Sequence, residues 1–171
     1  RVLGDQVNQA GSLVLPDRLR FDFTWPEALS AKQIREVEDI VNAEIIKNTS
    51  VSINEMPIDE AKNLGAMALF GEKYGDIVRV VSVGEFSKEL CGGTHVSNTG
   101  ELGSFRIIGE SGIGSGVRRI EAVTGWAAYE MMQEDRKLIN SAADALKSNS
   151  TGILERIEKL QAELKDAEHE L

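Results

Sequence analysis

The sequence predicts an α+β fold with a mixed or antiparallel sheet, followed by a helical arm. Short segments with the two-residue alternation of β-strands recur between residues 12 and 125. A segment with the 3.6-residue period of an amphipathic helix interrupts them at residues 30–48. After Gly125 the alternation gives way to helical periodicity. We therefore divide the chain into an α+β domain, residues 1–125, and an arm of long, coiled-coil-like helices, residues 126–171.

The predicted strands are short alternating or apolar segments between turn-forming residues. Residues 12–25 alternate on either side of Pro16-Asp17, which is typical of a β-hairpin. Residues 76–84 are largely apolar, which indicates a strand at the centre of a sheet. The other predicted strands are residues 51–56, 103–111 and 116–125.

The predicted helices carry signals at their ends. Ser30 and Gln33 are spaced as a capping box, and Asp59 is placed to cap a second, short helix. The predicted helices are residues 30–48, 58–70 and 126–147, the tail of a helix at residues 1–3 that stops at Gly4, and a last helix from Ile153 onward.

The last helix has apolar residues at alternating spacings of three and four, the seam of a heptad repeat. The other residues of this helix are mostly charged, which is compatible with a solvated helix that lies on the domain. We favour instead the start of an antiparallel helical hairpin or coiled coil, through which the protein could self-associate. The seam residues are Ile153, Ile157, Leu160, Leu164, Ala167 and Leu171.

The composition excludes several classes of protein. The net charge of −9 argues against nucleic-acid binding through the bulk electrostatic field, so any RNA contact must be local. One cysteine in 171 residues excludes an internal disulfide and fits a reducing, cytoplasmic location. The sequence contains no run of about 18 apolar residues, so it does not predict a helix that spans a membrane. A first residue of Arg1, without a signal-peptide pattern, leads us to expect a fragment of a longer protein.

The stretch Cys91-Gly92-Gly93-Thr94-His95 holds the only cysteine and one of two histidines. Paired glycines disfavour helix and strand interiors, so we expect a turn that folds the thiol and the imidazole towards one point. Thiolate and imidazole are the ligands that zinc prefers, but a zinc site needs three or four protein ligands. The alternatives are half of a metal site or an inert buried cysteine beside a surface histidine.

Two further clusters are candidate binding elements. The glycine-rich segment at residues 110–116, which opens the stretch ESGIGSGVRR, lacks the spacing of a dinucleotide site, and we expect a flexible loop beside an anion. Arg118 and Arg119 follow it; on a strand they point to opposite faces, so only one could face a pocket, and surface ion pairs are the alternative. Gln9 and Ser12 could line a pocket beside the first hairpin, or could simply be solvated.

Four segments together resemble the alanyl-tRNA synthetase family. LCGGTHVSNTGELGSFRI, at residues 90–107, is similar to the second half of the zinc-binding editing signature of that family. GSLVLPDRLRFDF, GAMALFGEKYGD and GVRRIEAVTG are similar to the hairpin that opens the domain and to the blocks that flank the signature. The resemblance covers nearly the whole chain in the same order. It implies an editing domain of the type shared by alanyl- and threonyl-tRNA synthetases.

The resemblance also implies roles for individual residues. Cys91 and His95 would be two Zn²⁺ ligands, and an H-x-x-x-H pair upstream of this chain would supply the other two. Gln9 would belong to the editing pocket, with Thr94 and, from its proximity to Gln9, Ser12 as further candidates for the catalytic pocket. Arg118 and Arg119 would lie near the tRNA. ATP and Mg²⁺ would be needed only by a catalytic domain outside this chain.

The implied reaction is hydrolysis of tRNA(Ala) that carries serine or glycine at its acceptor end. Two alternatives remain. The chain could be a module that only docks tRNA or links dimers, since it holds two zinc ligands of four. It could also be a stand-alone deacylase, against which the helical arm argues.

Overall fold

The computed structural model describes residues 1–68 and 74–169, and it confirms the α+β class. The chain divides into two compact units, Arg1–Ala128 and Tyr129–Leu171. No helix in the described part of the chain is long and apolar enough to cross a membrane. The strands are β1 (Gln9–Val14), β2 (Leu19–Thr24), β3 (Val51–Pro57), β4 (Ile77–Val83), β5 (Ser87–Leu90), β6 (Phe105–Gly114) and β7 (Val117–Thr124). The helices are α1 (Ala31–Ile46), α2 (Ile58–Asn63), α3 (Gly125–Ala145) and α4 (Ile153–His169), with a 3₁₀ turn at Thr99–Leu102.

A four-stranded antiparallel sheet, in the order β1-β2-β7-β6, forms the larger part of the first unit. Its inner face carries a core of four buried side chains, in which Phe23 is 2% exposed. The hairpin predicted at residues 12–25 is confirmed as β1 and β2, although β1 already begins at Gln9. The core residues are Phe23, Leu29, Ile120 and Ala122.

The glycine-rich segment is a hairpin, so the predicted flexible loop is wrong. β6 runs through Gly112 to Gly114 and pairs with β7, which leaves only a two-residue turn between the strands. Gly116 in that turn has φ +69°, a conformation that glycine adopts without steric cost. The turn is tied down because Trp25 N–H donates to the carbonyl of Gly116 at 2.9 Å. Strand pairing and this bond replace the freedom that the glycines suggested.

A second, three-stranded antiparallel sheet has the order β3-β4-β5. β4 is central, as its apolar sequence predicted, because β3 and β5 pair with its two edges. β5 was not predicted, since four residues of mixed polarity carry little pattern. The core of this sheet is Ala61, Val78, Val80 and Leu90.

Polar side chains of helix α1 bond it to the edge of the larger sheet. It begins at the predicted capping box, in which Ser30 Oγ accepts from Gln33 N–H at 3.2 Å and Gln33 Oε1 accepts from Ser30 N–H at 2.8 Å. Asn42 donates to the carbonyl of Phe105 at 2.9 Å and accepts from its N–H at 2.8 Å. The amide of Asn42 thus pairs with edge strand β6 as another strand would, which protects an exposed edge.

Two predicted features at helix ends are wrong. Arg1–Leu3 are not helical: Arg1 donates to the carbonyl of Phe86 at 3.0 Å, and Gly4 takes φ +87°. Three residues cannot close a helical i→i−4 hydrogen bond among themselves.

The second short helix, α2, is not capped by Asp59, because its N-cap is Pro57. Asp59 lies in the first turn, where its charge still complements the helix dipole. α2 ends at Asn63 rather than at residue 70, and Met67 forms a bridge to Glu89 instead. Residues 69–73 of the predicted helix and of the GAMALFGEKYGD block lie outside the described residues.

The second unit contains most of α3, the break and α4, and the two predicted helices are confirmed. Among the seam residues of α4, Ile153, Ile157 and Leu160 are partly buried, whereas Leu164 is 61% exposed. Leu171, the last predicted seam position, lies outside the described residues. The coiled coil therefore stays a prediction.

We expect Asn42→Ala to lower the free energy of unfolding by about 1–2 kcal/mol, because it leaves both backbone groups of Phe105 without their partners. Alanine adds at most about 0.7 kcal/mol of helix propensity, which offsets only part of this loss. Urea denaturation followed by circular dichroism measures the change. Glu36→Ala, at an exposed position of the same helix, is the control. A loss for Asn42→Ala no larger than that for Glu36→Ala would contradict the role of Asn42.

Candidate functional site

The residues from Cys91 to Val96 form an irregular loop directly after β5. The central strand of the smaller sheet holds its start, because Cys91 N–H donates to the carbonyl of Arg79 at 3.1 Å. On the other side, Leu90 N–H donates to the carbonyl of Met67 at 2.9 Å. The loop therefore leaves the sheet from a fixed point, as a binding loop on a rigid scaffold does.

The loop brings the thiol of Cys91 and the imidazole of His95 to the same side of Gly93. A Cβ atom built on Gly93 would lie 3.6 Å from Cys91 Sγ and 4.0 Å from His95 Cε1. A Cβ built on Gly92 would meet no atom within 4 Å. The two glycines are thus not equivalent: the absence of a side chain at Gly93 keeps open the space that the thiol and the imidazole flank.

A hydrogen bond within the loop orients the ring of His95. Its Nδ1 lies 3.2 Å from the carbonyl oxygen of Gly93. Because a carbonyl oxygen only accepts, Nδ1 must carry the proton in this bond. In the neutral ring, Nε2 then holds the free lone pair, which is the state that a metal-binding histidine needs.

Arg79 is a residue of this loop that the sequence interpretation missed. Its Nη1 donates to the carbonyl of Cys91 at 3.1 Å and also to the carbonyl of Gly93. A signal was present, since Arg79 is the one charged residue in the otherwise apolar sequence of β4. A charge in a central strand needs partners that compensate its desolvation.

Thr99 anchors the far side of the loop, and it too was missed. Its hydroxyl donates to the carbonyl of Glu44 at 2.9 Å and accepts from Thr49 N–H at 2.9 Å, and the residue is only 5% exposed. The spacing of Asn98 and Glu101 was the available signal, because Glu at the third position after Asn favours a helical turn.

The donor set near the loop fits half of a zinc site. Within residues 1–68 and 74–169, no group of three or more His, Cys, Asp or Glu side chains could hold a metal ion. Of the nearby carboxylates, that of Glu101 accepts from Asn98 N–H at 2.9 Å and that of Glu89 from Ser87 Oγ at 3.1 Å. Thr94 is exposed between the two candidate ligands.

Gln9 and Ser12 lie on a different sheet from the one that carries this loop. Both are on β1, the edge strand of the four-stranded sheet, where Ser12 is exposed and faces Phe21 across the strand pair. The loop of Cys91, in contrast, extends from the three-stranded sheet. The structure thus brings together Cys91, Thr94 and His95, and it places Gln9 with Ser12 in a second group.

Arg118 and Arg119 lie on opposite faces of β7, as their adjacency predicted, and each forms an ion pair. Arg118 donates two hydrogen bonds to Glu110, at 2.6 and 2.7 Å. Arg119 donates two to Asp22, at 2.7 and 2.8 Å. Both pairs are bidentate and largely shielded from solvent, so the guanidinium groups are engaged within the sheet.

These pairs shift the titration of all four groups. The hydrogen bonds from Arg119 lower the pKa of Asp22, and those from Arg118 lower the pKa of Glu110, each against an opposing effect of burial. The same bonds raise the pKa of Arg118 and of Arg119. Both carboxylates therefore stay ionised at neutral pH and stabilise the fold.

Comparison with known proteins places the loop in a known domain. Residues 78–121, from β4 into β7, match the model of the threonyl and alanyl tRNA synthetase second additional domain. The chain is 57% identical over 169 residues to an alanine–tRNA ligase of Bacillus velezensis, 55% over 170 residues to one of Acetivibrio thermocellus, and 56% over 169 residues to one of Bacillus subtilis. Each alignment covers 99% of this chain and 19% of the relative. The chain thus spans about a fifth of the length of the curated relatives it matches.

We expect the paired carboxylates to make stability dependent on acid pH. Their pKa values are lower in the folded than in the unfolded chain, where they are about 4, so their contribution is complete above that pH. It is lost as the pH falls through the lowered values. Urea denaturation between pH 7 and pH 2 should show a weaker acid dependence for Asp22→Asn/Glu110→Gln than for the unmodified protein.

The control is Asp39→Asn, which removes the exposed carboxylate that faces Arg35 at 3.3 Å. An exposed pair of this kind contributes little, so the acid dependence should stay nearly unchanged. Equal effects of the two substitution sets would contradict the assignment.

Proposed function

Because this chain is homologous over nearly its whole length to a segment of the bacterial alanine–tRNA ligases, we propose that it is part of such a ligase and holds half of the zinc site of its editing centre. The proposed reaction is hydrolysis of tRNA(Ala) that is mischarged with serine or glycine. The observation that carries the proposal is that Cys91 Sγ and His95 Cε1 both lie within 4.0 Å of the position that a Cβ on Gly93 would take, inside the matched segment.

The need for such a centre follows from the size of alanine. A synthetic site that selects alanine rejects larger side chains by steric clash, but glycine is smaller and serine adds only a hydroxyl group. A binding pocket discriminates against such near-isosteres by only about 10²-fold. A second site that hydrogen-bonds the serine hydroxyl can add about 10⁴-fold, since Ala-tRNA would leave its polar group unpaired.

In the proposed site, Cys91 and His95 would hold Zn²⁺, and an H-x-x-x-H segment upstream of this chain would supply two more ligands. When bound, the zinc ion supplies a Lewis acid that can bind the substrate or polarise water. Cys91 serves as a ligand rather than a nucleophile, because the one nearby histidine is a ligand too and cannot activate the thiol. Thr94, exposed between the ligands, and Gln9 are the candidates to hold the serine hydroxyl.

The tRNA contact of this chain is local and confined to the acceptor end. The net charge of −9 opposes long-range attraction of RNA, and the ion pairs of Arg118 and Arg119 neutralise both guanidinium groups. These arginines therefore stiffen the sheet near the tRNA instead of neutralising phosphates. In the proposed parent ligase, ATP and Mg²⁺ serve the charging of alanine in another domain.

One observation favours a second function, a module that docks tRNA or links dimers. Only two candidate zinc ligands come together among the residues that the structure describes, and α4 carries a heptad seam. The two functions differ in whether Cys91 is needed for hydrolysis. A stand-alone deacylase is less favoured, since the matching relatives are ligases along the full chain, including the helical arm.

We expect Cys91→Ala, in the full-length ligase, to lower deacylation of Ser-tRNA(Ala) by at least about 100-fold, because a lost ligand disrupts the metal site more than a lost supporting residue does. Deacylation is measured without ATP, so that charging cannot interfere, and Ala-tRNA(Ala) is the substrate control. Alanine charging should stay within about twofold of its original rate, since the site that performs it is separate. Equal loss of charging and deacylation would count against a dedicated editing role.

We also expect Gly93→Ala to weaken zinc binding roughly tenfold without unfolding the protein. The added methyl group makes ordinary van der Waals contacts, at 3.6 and 4.0 Å, but it occupies the space between the thiol and the imidazole. Gly92→Ala is the matched control, because its methyl group meets no atom within 4 Å. Competition with a zinc-sensitive chelator, on the full-length ligase, measures the affinity. If the two variants bind zinc equally well, Cys91 and His95 do not share a metal across Gly93.

A further inference from the structure

We propose that Arg79 is the positioning residue of the Cys91–His95 loop, and that it sets the direction in which His95 presents Nε2. The proposal rests on the proposed function only for the identity of the bound metal. Its structural basis is a set of three backbone interactions that one residue makes with the loop. In this role Arg79 acts through the peptide groups of Cys91 and Gly93.

Arg79 holds the loop from both its main chain and its side chain. Its carbonyl accepts from Cys91 N–H at 3.1 Å, while its Nη1 donates to the carbonyls of Cys91 and Gly93. The backbone bond fixes where the loop begins. The side-chain bonds then fix the directions of the carbonyls of Cys91 and Gly93, and so the path of the chain between the thiol and the imidazole.

The carbonyl of Gly93 transmits this effect to His95. It accepts from Arg79 Nη1 and from His95 Nδ1, and two donors occupy both of its lone pairs. The position of that oxygen determines where Nδ1–H can donate. Since Nδ1–H fixes the tautomer, Arg79 indirectly keeps the lone pair on Nε2.

The cross-strand neighbour of Arg79 shows that this arrangement is specific. Glu55 on β3 lies directly opposite Arg79 and could form an ordinary surface ion pair with it. The guanidinium group instead directs its side-chain hydrogen bonds, among the described residues, to two neutral carbonyls of the loop. A residue whose role was solubility or a surface ion pair would have bonded the carboxylate.

The first test is the tautomer of His95, read from the ¹⁵N chemical shifts of its ring nitrogens in this 171-residue chain. Arg79→Met keeps an unbranched, flexible stem but removes the donors, so the population with a proton on Nδ1 should fall. Arg79→Lys replaces the guanidinium group with an ammonium group. Its population with a proton on Nδ1 should lie between that of the unmodified protein and that of Arg79→Met. Arg35→Met, on the exposed face of α1, removes an arginine without touching the loop and should leave the tautomer unchanged.

The second test is zinc affinity in the full-length ligase. Loss of a residue that supports a metal ligand weakens binding by about 10–100-fold, and we expect this for Arg79→Met but not for Arg35→Met. Substitution with Co²⁺ gives a spectroscopic readout independent of catalysis, because the thiolate charge-transfer band should shift or weaken in Arg79→Met alone. Circular dichroism establishes that each variant is folded. If Arg79→Met does not fold, Arg79→Lys is used for both tests.

The outcomes separate the two proposals. An unchanged tautomer in a folded Arg79 variant overturns the positioning role, even if editing is established. A changed tautomer with zinc affinity equal to that of Arg35→Met also overturns it, since the orientation of the loop would then not govern binding. A ligase that binds no zinc before any substitution overturns the proposed function, while the tautomer still decides whether Arg79 orients His95.

Discussion

The pairing of β2 with β7 is the interaction on which the first unit depends. It joins strands that lie about a hundred residues apart, and Arg119 bonds Asp22 across a separation of 97 residues. Closing so long a segment costs conformational entropy, although the cost grows only slowly with length. The buried contact of Phe23 with Ile120 and Ala122 offsets it. The smaller sheet and the Cys91–His95 loop lie between these strands in the chain, so this closure also brings together the two ends of the segment that carries them.

Side-chain hydrogen bonds help to hold the segment between β2 and β6 in place. Asn42 pairs with the backbone of Phe105 at the sheet edge, and Thr99 bonds the backbone at the end of α1. Such bonds are directional, so they fix orientation as well as proximity. The loop lies between Arg79 and Thr99, each anchored to a regular element. An irregular segment with exposed glycines can in this way hold a thiol and an imidazole in a constant relation.

Ion pairing gives the charged residues near the glycine-rich hairpin a structural role. Two adjacent arginines beside glycines suggest a surface that binds anions. In the fold, each arginine satisfies a carboxylate on its own face of the sheet. Both guanidinium groups are therefore engaged in ion pairs within the chain. Under the proposed function, this acidic chain must recognise an RNA end through shape and short-range contacts.

The sequence by itself determined the elements whose pattern is local. The alternation of β2, the apolar run of β4 and the capping box of Ser30 and Gln33 each predicted what the structure contains, because period and cap chemistry depend only on neighbours in the chain. The paired glycines likewise predicted that Cys91 and His95 would approach each other. Short β5, which has little pattern, was not predictable in this way.

Only the tertiary structure decided which groups satisfy one another. The carbonyls that Arg79 bonds, the carboxylates that Arg118 and Arg119 bond, and the end of α2 at Asn63 all depend on which strand lies beside which. Hydrogen bonds and ion pairs between distant residues form only once strand pairing has brought them within about 3 Å, and sequence spacing does not encode that proximity. For this reason the sequence could identify the two candidate metal ligands, whereas only the fold could show what holds them in position.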